Sequence, residues 1–157
     1  MNATRIASWL AVPARWYLGA LFVGAAWHKI VAPGSFALDV ATYDILPLAL
    51  VNVAAITLPW IEIVAGALLL LGFRTRAASV LVGGMMVLFL AALVVALARG
   101  LDMSCGCFAS QGAEENPISW LTAARDLAWL ALNLLVLVAD RGRVGLDGWL
   151  ERKTEDA

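Results

Sequence analysis

Four long apolar runs, each parted from the next by a short polar or charged stretch, organise this sequence and predict its elements. Ala11 to Val31 is the first, about 31 Å at helical rise and enough to cross a hydrocarbon core. Pro33 and Gly34 end it. Ser35 is placed to cap a short helix in which Phe36, Val40 and Tyr43 recur at i, i+4 and i+7, a face suited to a membrane interface. The second run is Leu48 to Leu71, with Pro59 expected to kink it and the carboxylate of Glu62 well inside. A basic turn, Gly72-Phe73-Arg74-Thr75-Arg76, leads into the third, Ala77 to Ala98. There Gly83-Gly84, Ala91-Ala92 and Ala96 give small faces for close helix packing. A polar loop over 99–119 precedes the fourth run, Trp120 to Ala139, and a charged tail over 140–157 follows. In that tail, Val144 to Leu150 suits a segment on the membrane surface.

These elements predict one all-α membrane domain over 1–157, with four transmembrane helices in an antiparallel bundle and a short interfacial helix after the first. The start also has features of a signal peptide, namely Arg5, an apolar run and the small residues Gly24-Ala25-Ala26. The length of the run and its interruption by Arg15 favour a retained helix.

Composition agrees. Hydrophobic residues make up 62% of the chain and charged residues 15%, against about 25% charged in soluble domains. Mean hydropathy is +0.85, so lipid is the expected solvent and the bilayer the first partner. A net charge of −1 gives nucleic acid no electrostatic footprint. A transporter finds little support in four short spans without an internal repeat.

Four spans put both termini on one side, and basic residues choose which. Arg5, Arg15, Arg74, Arg76, Arg141, Arg143, Arg152 and Lys153 fall on the terminus side; Lys29, Arg99 and Arg125 fall on the other. That bias predicts an inner-membrane protein with cytoplasmic termini and a periplasmic 99–119 loop.

The loop holds the only two cysteines of the chain, in Cys105-Gly106-Cys107. As a structural disulfide the pair closes a three-residue ring worth roughly 1.6 kcal/mol in the unfolded state, before strain is subtracted. It would tie no helix to another. A closely spaced, strained bridge is the kind with a more oxidising potential, and Gly106 permits the tight backbone. A redox-active pair is therefore preferred over a structural bridge or idle thiols. A metal would need more ligands than these two and His28, the only histidine.

Charges inside the spans are the other candidates. Glu62, near the bilayer middle, is either a proton relay or a structural group, an ion pair or a protonated acid, that holds helices together. Arg15 is its first-choice partner, with Lys29 and Arg125 as alternatives from the outer side. Arg125-Asp126, at the start of the fourth span, either lowers a cysteine pKa or anchors the interface.

Taken together, Arg15 with Leu18-Gly19 and Lys29, Pro33 to Tyr43, Pro59-Trp60-Ile61-Glu62, Gly72 with Arg74, Cys105-Gly106-Cys107-Phe108 and Arg125-Asp126 resemble the DoxX-like superfamily. The resemblance is to its methylamine-utilisation MauE branch and runs from about residue 12 to 139. The chain departs from the pattern at Ala109-Ser110, where glycine is expected after the phenylalanine. The resemblance implies a four-helix redox-associated membrane protein that supports maturation of periplasmic enzymes beside thioredoxin-like proteins. It also implies kinship with subunits of quinone-reducing oxidoreductases.

Two functions follow as expectations. In one, Cys105 and Cys107 exchange disulfides with a thioredoxin-like partner and pass electrons to quinone, with Glu62, Arg125 and Asp126 assisting and Trp27 and Trp60 as quinone contacts. In the other, the chain is a non-catalytic accessory subunit or scaffold of a membrane oxidoreductase complex.

Overall fold

The computed structural model describes residues 3–101, 118–140 and 144–155. They form six helices: α1 (Ala3–Val31), α2 (Pro33–Thr42), α3 (Leu48–Leu71), α4 (Thr75–Ala98), α5 (Trp120–Ala139) and α6 (Leu146–Glu155). Four of these, α1, α3, α4 and α5, are long and apolar enough to cross a membrane. α1 begins ahead of the apolar run at Ala11, because helical geometry continues back through the more polar 3–10 stretch. Pro59 lies inside α3, which continues through it.

Helix ends follow from local chemistry. Pro33 does not merely end α1; it opens α2 at its first turn, where the missing N–H costs nothing and the fixed φ is already helical. The cap is Ala32, with no side-chain hydrogen bond, so Ser35 is not the capping residue. α3 stops at Gly72, which takes a φ of +64°. The Gly72 N–H bonds Leu69 O and the Phe73 N–H bonds Leu68 O, closing the last carbonyls in the Schellman pattern. Ser119 caps α5 by accepting from the Thr122 N–H at 3.3 Å.

The start of α4 is capped by a residue more than seventy positions away. The Asp147 carboxylate accepts from the backbone N–H groups of Arg74 (2.9 Å) and Thr75 (3.2 Å). Its own N–H donates to Gly72 O at 3.0 Å. α6 is therefore fastened by its first turn to the α3–α4 turn, with Leu146 and Trp149 exposed.

In the bundle, α1 packs on α3 and α5, and α4 packs on the same two, while α2 lies against α3. The tightest approach is between α1 and α3. A Cβ at Gly19 would sit 2.9 Å from Gly66 O, and one at Gly66 would sit 2.9 Å from Gly19 O. Two glycines facing each other let the backbones touch, the usual device where lipid supplies no hydrophobic drive between helices. One apolar cluster fills the bundle around Leu18, Leu69, Val82 and Val136. A second, around Tyr43, Leu93, Ala96, Ile118 and Ala123, closes one end. Large apolar side chains such as Leu48, Leu88, Leu121 and Val138 stay exposed, as a bilayer solvent requires.

Gly66→Val is expected to force α1 from α3 and destabilise the bundle by about 1–3 kcal/mol, the usual cost of overpacking. A lowered unfolding midpoint in detergent checks this. Gly84→Val, where nothing lies within 4 Å of the added Cβ, is the control that leaves the midpoint in place.

Candidate functional site

Charged groups in this bundle collect at three levels. At the terminus end, the Arg15 guanidinium is 1% exposed and donates to Asp140 Oδ2 at 2.9 Å and to the Val144 carbonyl at 2.8 Å. Gly72 lies flat against it, since a Cβ there would meet Arg15 Nη2 at 2.9 Å. Gly145 in turn packs on Gly72. Arg15 thus joins α1, the end of α5 and the start of the tail through one buried cation.

This overturns Arg15 as the partner of Glu62. The Lys29 ammonium takes that place, donating to both Glu62 oxygens at 2.7 and 2.8 Å. The reason is axial level. Arg15 touches Gly72, and Glu62 stands ten residues up α3 from Gly72, about 15 Å. Lys29, in the last turn of α1, reaches back into the bundle instead of outward to the interface. Its side chain is 11% exposed and that of Glu62 13%, and the Phe36 ring of α2 covers the ammonium at 4.9 Å. Removing one partner of such a pair costs about 3–5 kcal/mol, because an uncompensated charge is left behind.

The third level is the end opposite the termini. Asp126 is buried, and its Oδ1 accepts from Arg125 Nε (3.2 Å) and Nη2 (3.1 Å). Arg125 also lies over the Trp129 ring at 4.6 Å, so its charge is held by its own helix. Asp126 stands fourteen residues from Asp140, about 21 Å along α5. Near it is Tyr43, whose phenol is pushed up above its ordinary range by burial first, then by Asp39 and Asp126. Tyr43 therefore stays a neutral hydroxyl. Arg99 binds the α2–α3 connection at this end through Asp44 Oδ2 (3.0 Å) and the carbonyls of Tyr43 and Asp44.

Cys105 and Cys107 lie outside the described residues. The segment that carries them starts after Leu101 and ends before Ile118, and both of these residues pack in the Tyr43 cluster. Trp27 and Trp60, at 60% and 57% exposure, face lipid and not the bundle interior. They would meet a molecule dissolved in the bilayer, but they do not enclose one.

Sequence reasoning missed Asp140, Asn133 and Tyr43 as polar members of the interior. The first two were legible in one way only: with Asp126 they fall at seven-residue steps on α5.

The family model for the methylamine utilisation protein MauE matches residues 7–139. The chain belongs to the MauE family. Among relatives of this MauE-type chain is the methylamine utilization protein MauE of Paracoccus denitrificans, 32% identical over 123 residues. That match covers 78% of the chain and 65% of the relative, so the chain spans just under two thirds of the relative's length. No solved structure matches it.

The pairing is testable by a double-mutant cycle read from reversible unfolding. Lys29→Met and Glu62→Gln are expected to couple by about 1–3 kcal/mol, whereas Arg15→Met and Glu62→Gln add independently. Coupling of Glu62 to Arg15 instead would return the pair to the first-choice assignment.

Proposed function

We propose that this chain is a membrane thiol–disulfide oxidoreductase whose Cys105–Cys107 pair faces the periplasm, serves a thioredoxin-like partner and delivers electrons to membrane quinone. The purpose is maturation of a periplasmic redox enzyme. Family membership supports this setting, and the observation that carries the reading is at the bundle end opposite the termini. There Leu101 and Ile118, the two feet of the cysteine segment, share one apolar cluster within a helix turn or two of Arg99, Arg125 and Asp126. Cationic and buried acidic groups near the two ends of a thiol-bearing segment suit thiolate formation and proton handling.

The cycle balances as follows. A thiolate of the reduced partner attacks one sulfur of the Cys105–Cys107 disulfide, forming a mixed disulfide. The partner's second thiol resolves it, so the partner leaves oxidised and the pair becomes a dithiol. Loss of two electrons and two protons from the dithiol to quinone restores the disulfide and gives quinol. Glu62, held by Lys29 inside the membrane, is the buried group assigned to proton transfer.

In proteoliposomes with a short-chain quinone and a reduced dithiol protein, quinol formation is expected for the wild type. Cys107→Ser should fall to the rate of protein-free vesicles, and Glu62→Gln by about a hundredfold per folded protein. Equal rates for wild type and Cys107→Ser would falsify the enzyme reading. Enzyme maturation that survives replacement of both cysteines in cells assigns the chain to the scaffold role instead.

Orientation has its own check. In intact spheroplasts a membrane-impermeant maleimide is expected to label Cys105 and Cys107 after reduction. A cysteine introduced at Ala157 should stay unlabelled until the membrane is opened. The reverse pattern inverts the topology.

A further inference from the structure

The buried face of α5, with its C-cap, carries a polar residue at every seventh position: Asp126, Asn133 and the cap Asp140. Seven residues are close to two turns, so the three share one stripe at intervals of about 10.5 Å. Among the described residues, four buried side-chain atoms have no hydrogen-bond partner within the protein: Arg15 Nε, Ser79 Oγ, Asp126 Oδ2 and Asn133 Oδ1. Two belong to the stripe. Arg15 is bonded to Asp140, and the Ser79 carbonyl receives the Asn133 amide, so all four lie on or against one face of one helix.

The middle level is the most completely built. Asn133 is 1% exposed and Ser79 0%. Asn133 Nδ2 donates to Ser79 O at 3.0 Å, which fixes the amide, because the reverse orientation would set two acceptors against each other. Gly83, one turn along α4, makes the room: a Cβ there would stand 2.7 Å from Asn133 Nδ2. Oδ1 is left as an acceptor and the Ser79 hydroxyl as a donor, both in the α4–α5 interface. Val82 and Val136, each three residues along its helix from the pair, are fully buried in the main apolar cluster. In a bilayer neither group can find a partner outside the bundle, and leaving both unmet is costly. Water is the small molecule that donates to an amide oxygen while accepting from a hydroxyl.

We propose that Ser79 and Asn133 form a buried water-binding site in the α4–α5 interface, toward the terminus end of the two helices. One water donates to Asn133 Oδ1 and accepts from Ser79 Oγ. It completes a polar bolt between α4 and α5 halfway along the stripe, two turns from Asp126 on one side and from Asp140 on the other. The proposal is independent of the redox reading.

The test uses the full-length protein in lipid nanodiscs. X-ray radiolysis turns a bound water into hydroxyl radicals in place, so a shielded neighbour oxidises. Mass spectrometry is expected to find oxidation on the α4 segment around Ser79 and Val82 in the wild type, with that oxidation lost in the Ser79→Ala/Asn133→Leu double variant. In reversible unfolding, Ser79→Ala alone is expected to lower the folded-to-unfolded ratio by about three- to tenfold. That loss should disappear in the Asn133→Leu background. A hydroxyl with no partner predicts the opposite sign, since its removal relieves a penalty. A segment around Ser79 and Val82 that stays unoxidised, or a Ser79→Ala protein as stable as the wild type or more so, overturns the site.

Discussion

A charge placed in hydrocarbon must be met by another protein group, and the arrangement of this bundle depends on where its few charges find one. Arg15 meets Asp140 from across the bundle, and Lys29 meets Glu62 on the adjacent helix. Each contact joins residues far apart in sequence, so it fixes axial register as well as neutralising charge. A slide of α1 along α3 by one turn, about 5.4 Å, would break the Lys29–Glu62 bond and drive Arg15 off Gly72. The apolar surface between the two levels cannot supply such discrimination, because leucine against leucine resembles leucine against lipid.

Glycine makes that register attainable. Gly19 against Gly66 brings α1 and α3 together between the Arg15 and Lys29 levels, and Gly72 gives the Arg15 guanidinium a flat surface to rest on. The left-handed turn at Gly72 also aims the α3–α4 connection at Asp147, whose carboxylate then replaces the local cap that α4 lacks. The tail is thus part of the fold at its first turn, through Asp140, the Val144 carbonyl and Asp147.

The two ends of the bundle are built differently. The terminus end is a closed knot of buried ion pair and backbone hydrogen bonds. The other end is an apolar cluster around Tyr43, with Arg99, Arg125 and the buried Asp126 close in sequence to its members and the feet of the cysteine segment inside it.

The four spans and the short helix after the first were legible because hydrophobicity over about twenty residues is a one-dimensional property. Pro33 and Gly72 punctuate those runs by backbone geometry alone. The motif of Pro59 through Glu62 with Cys105-Gly106-Cys107 and Arg125-Asp126 was likewise enough for the family. What the sequence left open was pairing. Arg15 and Lys29 both lie on α1, and choosing between them for Glu62 needs the crossing of α1 with α3, which the Gly19–Gly66 approach sets. Asp140 read as the start of a charged tail until the end of α5 brought it beneath Arg15. Composition and periodicity determine which segments enter the membrane; only helix packing decides which of their charges meet, because a charge's partner is fixed by distances between helices that no local pattern encodes.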